Sequence, residues 1–128
     1  MLTWTTAMTT GVDDLDAQHK LLFRKFNELE SMLSSNEWYE AESILDFLNF
    51  YADLHFEEEE REMEKHRCPV AEKNKAAHNQ FRKKFETFHQ EWNYGRPTRE
   101  LAQSVHDELG KWLIEHVMEI DSHLRFEA

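Results

Sequence analysis

Residues 41–63, AESILDFLNFYADLHFEEEEREM, set Ala41, Leu45, Leu48, Ala52, His55, Glu59 and Met63 at steps of three or four. Such spacing lines one face of an α-helix, the face a helix turns toward its neighbours. His55 and Glu59 stand where the pattern demands Leu or Phe, and that substitution governs the reading of the whole chain.

The same stripe precedes this stretch as Leu15, His19, Leu22, Phe26, Leu29 and Leu33, and follows it as Ala71, Asn74, His78, Phe81, Phe85, Phe88 and Trp92. A looser version runs through Leu101, Val105, Leu109, Trp112, His116 and Ile120, with Leu113 flanking it. The breaks agree with four helices. Ser34, Ser35 and Asn36 separate the first two, Pro69 suits the first turn of the third, and Gly95 with Pro97 parts the last pair. The expected fold is all-α, an antiparallel up-down-up-down four-helix bundle. Its helices are expected at about 14–35, 37–66, 69–93 and 97–119, behind an N-terminal arm of about 1–13.

Composition fits one domain over 1–128: three glycines and two prolines leave long uninterrupted segments. A formal charge of -11 opposes nucleic acid and anionic lipid, which carry the same sign. The single cysteine, Cys68, has no internal partner, and the first residues lack the basic start and apolar core of a secretory signal. No apolar run reaches the roughly 20 residues that cross a bilayer. A cytoplasmic protein is expected, with a monomer favoured.

Six polar residues, His19, His55, Glu59, Asn74, His78 and His116, fall on the inward stripes, and every helix contributes at least one. Burying imidazoles and a carboxylate without compensation costs several kcal/mol, and a bound cation compensates them. Level along the bundle agrees. His19 lies about 16 residues before the first turn and His55 about 17 after it, so at roughly 1.5 Å per residue both rise some 25 Å. Glu59 and His78 lie about 8 and 10 residues from the second turn, whereas His78 and His116, about 17 and 21 from Gly95, match less well. Imidazole with carboxylate oxygen and no thiolate suits iron or manganese better than structural zinc. With Asp121 five residues after His116, the donors suffice for two metals, with Glu59 and Asp121 as natural bridges.

The order Asp16-x-Gln18-His19, His55-x-x-x-Glu59, Pro69 followed by His78-x-x-Phe81, and Trp112-Leu113-x-x-His116-x-x-x-x-Asp121 closely resembles the hemerythrins in their bacterial single-domain form. The likeness spans nearly the whole chain, including Trp4 and Gly11-Val12 of the arm. It implies an oxo- or hydroxo-bridged pair of iron ions that binds dioxygen reversibly. By the resemblance, His19 and His55 hold the iron with the open position, His78 and His116 hold the other, and Glu59 and Asp121 bridge. Leu113, Trp112 and Phe81 wall the oxygen pocket, although Phe81 also reads as plain core.

Asn74 departs from the family pattern, which usually has histidine there. An amide oxygen is a weak neutral donor and coordinates feebly or leaves the place to water. The resemblance implies an oxygen-binding protein for storage, delivery or sensing, more readily than an enzyme, while Asn74 favours the alternatives. The alternatives are a redox enzyme acting on peroxide, nitric oxide or ferrous iron, and an iron-binding protein with impaired oxygen binding. His89, His106 and His123 fall off the stripes and read as surface, as do Glu57, Glu58 and Glu60. Cys68 reads as exposed at a turn, and Gly110 leaves open whether a backbone approaches it.

Overall fold

The computed structural model describes residues 2–95 and 97–119, which include no strand. Helix α1 spans Asp13–Ser34, α2 Glu42–Lys65 and α3 Ala71–Tyr94. The fourth helix is built of α4 (Arg99–Ser104), a π-helical turn (Val105–Leu109) and α5 (Gly110–Glu119). Single 3-10 turns at Thr6–Met8 and Trp38–Ala41 lead into α1 and α2.

Each junction is a four-helix-bundle junction: side chains numbered upward on one helix meet side chains numbered downward on the next. Gln18 and Lys25 of α1 face Glu58 and Phe47 of α2. His78 and Arg82 of α3 face Glu60 and Asp53 of α2, and His78 and Phe81 face His116 and Trp112 of α5. Arg99 donates to the Leu33 carbonyl while Gly110 faces Phe26. Neighbours therefore run antiparallel.

The helix ends explain the turns. Asp13, Asp14 and Asp16 fill the first turn of α1, where the helix dipole favours negative charge. Helices α1 and α2 finish alike, with Asn36 (φ 63°) and Arg67 (φ 52°) in the left-handed region. The next amide then bonds back to Met32 at 2.7 Å and to Met63 at 2.8 Å. This closure carries Cys68 inward onto Met63 and Leu15, so it is buried rather than exposed. Pro69 sits not in the first turn of α3 but in the turn before it, closed by the Ala71 amide on the Cys68 carbonyl at 3.1 Å. Thr98 caps α4 by accepting from the Leu101 amide at 3.1 Å.

The looseness of the last stripe has a cause in the π turn, which holds one residue more than an α turn and rotates the faces that follow it. The buried positions are Ala102, Val105, Leu109, Gly110, Leu113, His116 and Val117, while Leu101 and Trp112 are half-buried. Ile120 lies outside the described residues. Gly110 answers to no backbone contact, since a Cβ there would meet only the Phe26 and Leu2 side chains, at 3.7 and 3.9 Å.

The arm lies across α1. Leu2 exchanges two hydrogen bonds with Asn27, Trp4 packs edge-on to Phe23, and the buried Thr10 gives both its amide and its hydroxyl to Asp16 at 2.8 Å. The core divides into a large cluster from Met8 to Val117 and a small one of Leu15, Met63 and Cys68.

Candidate metal centre

His19 of α1, His55 and Glu59 of α2, Asn74 and His78 of α3 and His116 of α5 are all buried, five of them at 2% exposure or less. Counted from the helix ends, His78 lies 16 residues before Tyr94 and His116 lies 17 after Arg99, so the poor match at this crossing reflected only the misplaced ends.

Glu59 organises the group. Its Oε2 lies 3.1 Å from His19 Nε2 and 3.3 Å from His55 Nε2. Its Oε1 lies 2.9 Å from His78 Nε2 and 3.5 Å from His116 Nε2. One carboxylate thus offers one oxygen to each of two histidine pairs. Two donor sets result, His19–His55–Glu59 and Glu59–His78–His116, each with its atoms within 4.8 Å of one another.

The outward ring nitrogens fix what the inward ones present. His55 Nδ1 lies 2.6 Å from Gln18 Oε1, and the Gln18 amide nitrogen donates to Glu58, which settles that amide's orientation. His78 Nδ1 lies 2.9 Å from Glu60 Oε2. Each Nδ1 therefore donates, and a neutral ring turns a lone pair on Nε2 toward the Glu59 oxygens. His78 Nε2 also lies 3.1 Å from His116 Nε2. The Nε2 atoms of His55 and His78, 3.3 and 2.9 Å from Glu59 oxygens, thus face acceptors, and a proton or a cation between them satisfies both sides. The donor set fits a metal.

Burial alone would push the Glu59 carboxyl up, but hydrogen bonds from His116, His19, His55 and His78 outweigh it and hold the group well below its ordinary range. Flat contacts support the rings. Phe56 stacks on His78 with centroids 3.9 Å apart, and Trp112 stacks on His116 at 4.5 Å. Phe81 packs on both Phe56 and Trp112, and Leu113 is buried one turn before His116.

Asn74 is fully buried one helical turn before His78. Asp121, the other expected bridge, and His123 lie outside the described residues. His89 and His106 are half-buried rather than on the open surface, paired with Asp46 at 4.0 Å and Asp107 at 2.9 Å, and neither joins the cluster. Glu58 and Glu60, which their place in an acidic run marks as solvated, and Gln18, which stands only within a motif, thus join the surround of the site. Their signal was adjacency to Glu59 and His19.

A helical bundle whose core gives way to converging histidines around a shared carboxylate defines a metal-binding bundle protein. The sequence pattern of the hemerythrin HHE cation binding domain matches residues 10–125, and the chain belongs to that family. It is similar to the bacteriohemerythrin of Clostridium acetobutylicum, at 31% identity over 94% of this chain and 96% of that one. It is also similar to that of Methylococcus capsulatus, at 30% over 94% and 92%. A third, from Stenotrophomonas maltophilia, is 24% identical over 91% of this chain and 74% of its own length.

Proposed function

We propose that this chain holds two iron ions and binds dioxygen, for storage, delivery or sensing, as a single-domain protein of the cytoplasm. The observation that carries the reading is the division of the Glu59 oxygens between two histidine pairs. His19 and His55 would hold one iron and His78 and His116 the other, with Glu59 and Asp121 bridging and Asn74 either a weak donor or a place for water. Ferrous ions so held supply the electrons and the exchangeable position that dioxygen binding needs. The protein's part is to orient the imidazoles through Gln18 and Glu60 and to keep water out with Leu113, Trp112 and Phe81, since a dry surround disfavours oxidation of the metal.

Anaerobic loading tests this directly, with about two irons per chain expected. A stoichiometry near one points to a mononuclear site, and none ends the metal reading. Air should then raise a charge-transfer band that disappears when oxygen is removed. The neutral, buried Asn74 supports a second reading, a redox enzyme acting on peroxide, nitric oxide or ferrous iron, because it opens another exchangeable position. Irreversible oxidation in air, with turnover that is lost in His55→Ala, would favour it.

A further inference from the structure

His55 and His78 are each held through Nδ1, but by partners of different charge. His55 donates to the neutral amide of Gln18 and His78 to the carboxylate of Glu60, whose side chain is 23% exposed. The guanidinium of Arg82 places Nη2 4.0 Å from the same Glu60 oxygen but commits its Nε to Asp53 at 2.7 Å. Arg82 also lies over the Phe56 ring that stacks on His78, within 11° of parallel, so the plane of that imidazole is fixed.

A carboxylate accepting from one imidazole nitrogen moves electron density to the other and makes it a stronger donor to a cation, which a neutral amide does far less. The stronger arrangement falls on the same half of the site as Asn74. We propose that Glu60 is a positioning residue for the His78 half: its negative charge, acting through His78 Nδ1, offsets the neutral Asn74 and retains the cation there. Gln18 orients His55 without adding charge. This rests on the reading that the site takes two cations, one per half.

The test is anaerobic titration of the metal-free protein with Co(II), followed by calorimetry and by the visible absorption of the bound ion. The wild type should take up Co(II) in separate stronger and weaker steps. Glu60→Gln, which keeps shape and an acceptor oxygen but removes the charge, should leave one step unchanged and weaken the other by about 10- to 100-fold. Gln18→Ala should weaken the opposite step. Glu60→Gln with both steps unchanged, or both variants weakening the same step, overturns the proposal. Should Glu60→Gln fail to fold, as judged by circular dichroism, Glu60→Asp carries the test. It keeps the charge but draws the carboxylate back from His78 Nδ1, so it should weaken the same step, and an unchanged profile again overturns the proposal. A wild type that binds no Co(II), or only one per chain, refutes the two-cation reading itself before any variant is considered, and uptake of two in a single unresolved step overturns the inequality of the halves.

Discussion

Phe56 lies flat on His78, with ring centroids 3.9 Å apart and planes 11° from parallel, and the same Phe56 ring meets Phe81 and Trp112 edge-on. One buried aromatic side chain thus supports a candidate ligand and ties it to the apolar core. Phe56→Ala should lower the stability of the metal-free protein by about 3–5 kcal/mol, the usual cost of emptying a core phenylalanine site. It should also speed the loss of iron to a chelator. Urea denaturation and chelator kinetics measure the two effects, and an unchanged release rate would show that the stack does not hold His78 in place.

Asn74→His should raise the iron retained after dialysis against a chelator and slow oxidation in air, because an imidazole is a far better donor than an amide at a buried site. Iron content and the decay of the oxygenated spectrum report both. If neither changes, position 74 does not reach the metal.

The depressed Glu59 carboxyl predicts how stability varies with pH in the metal-free chain. Its folded value lies below the ordinary one of about 4.5. The unfolded chain therefore binds the extra proton first as pH falls. The stabilisation is fully present above about 4.5 and is lost as pH falls through the folded value. Glu59→Gln lacks this titration, so its urea midpoint should vary less over that acid window than that of the wild type. Parallel curves would refute the assignment.

Gly110→Ala should stabilise the protein by about 0.4–1 kcal/mol by restricting the unfolded chain. The backbone there is α-helical, at φ -63° and ψ -44°, and the added methyl would meet Phe26 and Leu2 at ordinary contact distance. A drop in melting temperature would mean that the adjoining π turn needs the glycine.

The four helices were legible because their stripes are long and their breaks carry Ser, Asn, Gly and Pro. His19, His55, Glu59, His78 and His116 were legible for the opposite reason, as polar residues in an apolar pattern. Gln18 and Glu60 were not, since each stands one position beside a stripe, where the pattern expects a solvated side chain. What gives them a part is which ring nitrogen they meet, and spacing does not encode that. The burial of Cys68 depends on a left-handed turn at Arg67, a residue type that does not announce one. The drift of the last stripe likewise reflects a five-residue turn that no residue marks.

The buried metal-ligand candidates leave Leu15, Met63 and Cys68, with the half-buried Val12, Val70, Ala71 and Ala77 against them, as a small plug at one end of the bundle, apart from the main cluster. Regions with fewer buried apolar contacts open locally at lower free energy. In the metal-free chain this end should therefore fray first, exchanging amide hydrogens around Met63 and Ala71 while the far end stays protected. Filling the site would clamp it, and a bound metal would then be a latch on one end of the molecule.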